Sequence, residues 1–349
     1  VRYYRIEISD PISGQVVVPP GFSASQLGGA TYTSFVNGQT LPGAWDVEFD
    51  IPIIDAATPQ GFGLARVWGI SVAEIGQAKN LNGKNIKVYG GMQKGLPLAN
   101  PAQAGLLVSG TIFQAFGNWI ETAMTLDIVI MPGPAATSSN PGGIGTLKAP
   151  KNIVLNWKAG TPLGQALQSA LQTAYPGANV RPNVSANIVS PGDQVGKYPT
   201  LEQLAQYVRQ ASKDIVKTAN YAGVSIVPLP NGGFSAFDGS AAPSGQPKAI
   251  AFQDLIGQPT WLEAGIISVK TVMRADLSVG KQITLPPTLT INTQAAASSL
   301  VNLQATFQGG FTLISERHVG RYRQPTADAW VTVLEGAPNN LVGAGSAAA

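Results

Sequence analysis

Thr161-Pro162-Leu163-Gly164-Gln165-Ala166-Leu167-Gln168-Ser169-Ala170-Leu171-Gln172-Thr173-Ala174 and, further on, Thr200-Leu201-Glu202-Gln203-Leu204-Ala205-Gln206-Tyr207-Val208-Arg209 decide how this chain divides. They open the two runs that carry a clear helical period. In the first, Leu163, Leu167, Ala170, Leu171 and Ala174 recur on one face, with Thr161 placed as N-cap and Pro162 at the first helical position. Tyr175-Pro176-Gly177 stops the run. In the second, Thr200 caps the helix with Gln203 three residues on. Its apolar stripe is Leu201, Leu204, Ala205, Val208, Ala211 and Ile215, with Glu202, Gln206, Arg209 and Lys213 facing away. Between the helices, Asn179 to Val184 alternates like a short strand. Neither helix aligns a histidine or a carboxylate pair on one face, so this α/β unit reads as a packing element between two β-rich regions.

Outward from that unit the period changes to two. Before it, Arg2 to Ile8, Ala65 to Ile70, Lys84 to Gly91, Gly105 to Phe116 and Thr122 to Ile130 read as strands. The clearest strand is Ala44 to Ile53, where Val47, Phe49, Ile51 and Ile53 share one face and Asp46, Glu48 and Asp50 share the other. That is enough for a small barrel or sandwich. After the unit, Val224 to Val227 returns to strand character, and Asn231-Gly232-Gly233 marks a hairpin. Ile266 to Val272, Asp276 to Gly280 and Lys281 to Leu285 follow as further strand segments. Gly310 to Gly320 and Ala329 to Glu335 read as a closing antiparallel pair. The expected organisation is an N-terminal β domain (1–131), a Pro/Gly-rich linker (132–156), the α/β domain (157–223), a second β domain (224–338) and a flexible tail (339–349).

Composition narrows the class. Apolar residues make up 44% of the 349 positions and charged residues 12%, about half the usual charged share. A surface so poor in charge is either covered by partners or solvated by Ser, Thr, Asn and Gln. The net charge of +3 comes from scattered lysines and arginines, with no basic tract that would mark a nucleic-acid footprint. With no cysteine, disulfides, thiol nucleophiles and cysteine metal sites are excluded. No signal-like segment opens the chain and no apolar run reaches the ~18 residues of a membrane span. These features point to assembly in the cytoplasm.

Few residues suggest chemistry. His318, the lone histidine, sits in a strand pattern and reads as a structural residue bonding across strands or at an interface, because no nucleophile elbow accompanies it. No cofactor or metal site is expected. Asp46, Glu48 and Asp50 stand roughly 6–7 Å apart along one strand face. They fit a solvated face, a glycosidase pair, or an acidic channel wall that repels phosphate. Arg317, Arg321 and Arg323 suit a grip on a carboxylate or phosphate, or a rim of ion pairs between subunits. Trp45, Trp68, Trp119, Trp157, Trp261 and Trp330 read as core or interface anchors. Pro141-Gly142-Gly143-Ile144-Gly145 fits neither a dinucleotide fingerprint nor a P-loop.

Three stretches carry a family resemblance. One is Trp157-Lys158-Ala159-Gly160-Thr161-Pro162-Leu163 with the helix after Tyr198. Another is Ile250-Ala251-Phe252-Gln253-Asp254-Leu255 through Trp261, leading to Met273-Arg274-Ala275-Asp276-Leu277. The third is Gly310 to Gly320 with Trp330-Val331-Thr332-Val333. In this order they resemble the baseplate (tail) hub proteins of contractile-tailed bacteriophages.

The resemblance implies a mainly β fold with an α+β insert: two tail-tube-like β-barrel domains joined by the small α/β domain. It further implies a homotrimer whose six barrels adapt the sixfold tail tube to the threefold spike. The implied partners are the tail spike, the tail tube or a tube-terminating protein, and the tape-measure protein in a central channel. DNA would pass through that channel without sequence-specific binding, and the location would be the virion baseplate. On this reading the chain is not an enzyme, Asp46, Glu48 and Asp50 line the channel, and Arg317, Arg321 and Arg323 make inter-subunit contacts. The alternative is a secreted carbohydrate-binding or glycoside-cleaving β protein that uses the acidic strand and the tryptophans.

Overall fold

The computed structural model describes residues 1–58, 62–93, 100–134, 152–218, 221–239, 246–263, 265–286 and 309–339. The expected Pro141–Gly145 loop, most of the linker and the tail from Leu341 lie outside them. The N-terminal region contains β1 (Arg2–Ser9), the short β2 (Tyr32–Thr33), β3 (Phe35–Val36) and β4 (Gln39–Thr40), then β5 (Asp46–Ile53) and β6 (Gly63–Trp68). Helix α1 (Val72–Gln77) precedes β7 (Asn85–Met92), β8 (Gly105–Ile120) and β9 (Ala123–Pro132). The middle holds β10 (Ile153–Trp157), α2 (Leu163–Ala174), β11 (Val180–Asn183), β12 (Gln194–Tyr198), α3 (Leu201–Val216), β13 (Ser225–Pro228) and β14 (Phe234–Phe237). Last come β15 (Lys248–Ala249), β16 (Thr260–Glu263), β17 (Ile266–Val272), β18 (Gln282–Thr284), β19 (Gly310–Arg321) and β20 (Trp330–Pro338). The fold is mainly β with a small helical insert, as expected.

The two β regions have separate cores but share a sheet. Thirteen strands form it, eleven of them in the order β16-β17-β20-β19-β5-β6-β9-β8-β7-β1-β2, with β18 branching from β19 and β15 from β18. The seam is the antiparallel pair β5–β19, in register from Glu316 opposite Ile53 to Arg321 opposite Glu48. β19 is long enough to serve both sides: its first residues pair with β18, its last with β5, and a bulge between Leu313 and Ser315 separates the two registers. Alternation on β5 follows the pleat, with Val47, Phe49, Ile51 and Ile53 buried and Asp46, Glu48 and Asp50 on the opposite face. The buried set joins Tyr4, Ile6, Ile86, Val88 and Leu126 in the larger β core. Ile267, Val269, Ile283, Phe311, Leu313 and Leu334 form the smaller one.

The α/β unit buries its own core, with Trp157, Leu163, Leu167, Leu171, Leu201 and Leu204 each 0% exposed. Thr200 caps α3 by accepting from the Gln203 amide. At α2 the expected cap is displaced: Pro162 itself is the N-cap, and the Thr161 carbonyl instead accepts from Trp157 Nε1 at 2.7 Å.

Two expected boundaries also move. β10 falls within the stretch assigned to the linker and pairs with β12. β13 and β14, assigned to the second β domain, form a three-stranded sheet with β11. Ile226, Phe234 and Ala236 thereby bury against the helices. β10 finds its cover in the α/β core, and β13 and β14 bury most of their apolar residues there while sending Val227 and Phe237 into the larger β core. Asp276 to Gly280, expected as strand, is a turn whose Asp276 is taken up by Arg274 and whose Gly280 has φ +87°.

Candidate functional site

Alternation along β19 sends Glu316 and His318 into the interior and Arg317, Val319 and Arg321 to the opposite face. The residues singled out from sequence therefore fall on two sides of one strand.

On the outer side, β5 and β19 bring the acidic strand and two of the three arginines together. Arg317 grips Asp50 in a two-point pair, Nε to Oδ1 at 2.7 Å and Nη2 to Oδ2 at 2.5 Å. This hydrogen bonding raises the guanidinium pKa above its ordinary value. Two residues along, the register sets Arg321 beside Glu48, Glu48 beside Arg66 of β6, Arg66 beside Asp127 of β9, and Asp127 beside Phe116 of β8. Charge alternates across four strands. Within that row Arg66 holds Asp127 at 2.5 and 3.0 Å, and Asn118 Nδ2 donates to the same carboxylate at 2.7 Å. A groove of about 370 Å³ runs over this face, lined by Glu48, Asp50, Leu64, Arg66, Asp127 and Arg321 among others.

The acidic strand face expected as a channel wall thus carries arginines among its carboxylates. The arginines expected at a subunit rim make bonds within their own chain. Arg317 takes Asp50, Arg321 Nη1 donates to Gln324 Oε1 at 3.0 Å, and Arg323 donates from Nη2 to the Ala44 carbonyl and from its amide to Asp46. The sequence reading did not single out Arg66 and Asp127. Their signal was present as lone charges inside the apolar runs Leu64 to Trp68 and Thr125 to Ile130.

On the inner side His318 is 1% exposed and bonds across to β20, Nδ1 lying 3.0 Å from Thr332 Oγ1. This is the cross-strand role expected for it. Thr332 Oγ1 gives its single hydrogen to the Arg274 carbonyl and accepts from the Arg274 amide. Nε2 of His318 faces Glu316 Oε1 at 3.4 Å, out of line for a hydrogen bond, and neither Glu316 oxygen has a partner. Burial pushes the Glu316 carboxyl up to about 8 and the His318 imidazole down to about 3, so both are neutral at pH 7.

Beside this pair Arg274, 0% exposed, bonds Asp254 at 3.0 Å and Asp276 at 2.7 and 2.8 Å, and Gln103 from the N-terminal region donates to Asp254 at 2.8 Å. Burial opposes ionisation of Asp276, but Arg274 and Lys248 outweigh it and hold the carboxyl below its usual range. The polar network ties the two β regions together beneath the seam.

Trp157 and Trp330 are buried anchors as expected, whereas Trp119 is 65% exposed at the β8–β9 hairpin tip beside Ile120 at 67%. Among the described residues no group of three His, Asp or Glu side chains is placed to hold a metal, and no helix is long and apolar enough to cross a membrane.

No family model and no curated protein matches the chain. Solved structures similar to it include a tail protein from Neisseria meningitidis MC58, at 11% identity and TM-score 0.47, covering 97% of this chain and 98% of the other. A 43 kDa tail protein of prophage MuSo2 from Shewanella oneidensis is similar at 6% identity and TM-score 0.49, covering 98% and 99%. An E. coli component of the type VI secretion system, described as structurally similar to the T4 bacteriophage tail proteins gp27 and gp5, is similar at 10% identity and TM-score 0.46, covering 85% and 75%. At these identities and TM-scores the likeness assigns no function.

Proposed function

We propose that this chain is a structural subunit of a bacteriophage tail, a baseplate hub that assembles as a homotrimeric ring between a sixfold tube and a threefold spike. The observation that carries the reading is the β5–β19 seam, through which one chain sets two β regions side by side in one sheet. Three such chains in a ring present six β regions, the number a sixfold tube needs below it. The hub-like stretches of the sequence contribute to the insert and to the C-terminal side of that arrangement. Trp157 and α2 with α3 build the insert, and Arg274 with β19 and β20 build the seam's C-terminal side. The low share of charge fits a surface covered by neighbouring copies.

In the ring, the mixed-charge face of β5, β6, β9 and β19 lines the channel, through which a tape-measure protein and then DNA pass. Assembly occurs in the host cytoplasm and the ring ends in the virion. A carbohydrate-active role would require two carboxylates in unlike environments across a cleft. On this face Asp50 and Asp127 are each held by an arginine.

Light scattering over a range of concentrations tests the proposal. The hub predicts three times the 36.2 kDa chain mass, unchanged by oligosaccharides. A single chain at every concentration, together with glycan cleavage lost in the Asp46→Ala/Glu48→Ala/Asp50→Ala variant, would establish the alternative.

A further inference from the structure

The charged face holds cations that its own carboxylates occupy. Arg317 keeps 56% of its side chain exposed and Arg66 45%, yet the inner edge of each guanidinium is taken by Asp50 or Asp127. Arg321 is exposed and lies one strand spacing from Glu48, with Arg66 one spacing beyond, so the two arginines flank that carboxylate roughly 10 Å apart. Arg317 and Arg321 are four residues apart on β19, about 13 Å, and point to the same side. Three guanidiniums on a shallow groove would form a phosphate-binding track, since arginine forks match phosphate oxygens and each neutralised phosphate releases counterions. Two of the three are held by carboxylates, Arg317 by Asp50 and Arg66 by Asp127, and Glu48 stands in register between Arg66 and Arg321. Leu64 and Phe116, 54% and 39% exposed, flank the charges and offer no hydrogen-bond donor to hold a phosphate.

We infer that this face is a masked polyanion surface: Asp50 and Asp127 hold Arg317 and Arg66, Glu48 sets a further negative charge between Arg66 and Arg321, and together they keep the face from gripping a nucleic-acid backbone, so that duplex DNA meets it without being retained. The inference deepens the proposed channel role and rests on it for its purpose. Its physical content does not depend on the ring, because masking is a property of the single chain.

The test is binding of a fluorescent DNA duplex to the purified full chain, followed by anisotropy over a salt series. The unmasked variant Glu48→Gln/Asp50→Asn/Asp127→Asn keeps side-chain shape, frees Arg317 and Arg66 from their ion pairs and removes the negative charge beside Arg321. A control with the same net charge, Asp193→Asn/Glu202→Gln/Asp214→Asn, removes carboxylates from the α/β unit instead. The expected result is weak binding by wild type and control. The unmasked variant should bind at least tenfold tighter, its affinity falling with salt at a log–log slope of about −2 to −3. Adding Arg66→Gln/Arg317→Gln/Arg321→Gln to it should abolish the gain. Should the unmasked variant lose its unfolding transition, Glu48→Gln/Asp50→Asn tests the same idea at two half-buried positions. Equal binding by the unmasked and control variants, or wild-type binding as tight as the unmasked variant's, would overturn the inference. Neither result depends on the oligomeric mass, so a monomeric chain and a failed unmasking are distinguishable.

Discussion

The two faces of β19 differ in what surrounds the same kinds of side chain. Outside, Arg317 and Asp50 are joined in a two-point ion pair, with roughly half of each side chain in water. Inside, one turn of the pleat away, Glu316 and His318 adjoin each other with neither charged. Water makes the outer pair inexpensive to form and nearly as inexpensive to break. Its absence inside makes neutrality the stable condition for Glu316 and His318. Arg274, equally buried, instead engages two carboxylates at once. Stability should therefore respond to charge changes beneath the seam, and binding should respond to changes above it.

The sharpest way to break this contrast is Arg274→Ala. It takes the buried cation from Asp254 and Asp276 and leaves the Asp254 carboxylate with the Gln103 amide, so urea unfolding should show a loss of about 3–5 kcal/mol. A loss below ~1 kcal/mol would mean that the inner network is as well solvated as the outer face.

The second test is pH. Because the folded chain holds the Glu316 proton up to about 8 while the unfolded chain releases it near 4.5, stability is drained as pH rises through that window. His318 has the opposite sign: its folded value of about 3 lies below the ordinary 6.5, so acid drains stability as pH falls from 6.5 to 3. The two slopes oppose each other between 4.5 and 6.5, which sets a plateau there. From pH 6.5 to 8 only Glu316 of this pair still contributes a slope, worth about 2 kcal/mol in total at ~1.4 kcal/mol per pH unit. Glu316→Gln should remove that decline, as read from melting temperature against pH. A decline that persists in the variant would assign it to another group.

The smallest effect belongs outside. A double-mutant cycle of Arg317→Ala and Asp50→Ala should give a coupling below ~1 kcal/mol, shrinking further in high salt. A coupling of several kcal/mol would show that the seam depends on its outer ion pairs.

Much of the architecture was legible because it follows from the period of apolar residues. Val47, Phe49, Ile51 and Ile53 fixed a buried face of β5, and the stripe of α3 with its Thr200 cap fixed a helix end. The closing pair β19–β20 was also readable as two neighbouring strands. Long-range pairing was not. Nothing in Asp46 to Ile53 says that its partner lies some 270 residues away, so Asp50 and Arg317 were read as separate features when they are one. The domain boundary at Val224 failed for a similar reason. Ser225 to Pro228 is apolar enough for either core, and only the parallel β11–β14 pairing decides between them. Glu316 left no sequence signal, since one glutamate in an alternating strand reads as a solvent-facing residue until the register is known.

The most direct test of the whole account is an electron-microscope image of the purified chain. A threefold ring with an open centre, its inner rim formed by the β5–β19 seam, is the result the hub predicts. Single particles with no ring at any concentration would contradict it.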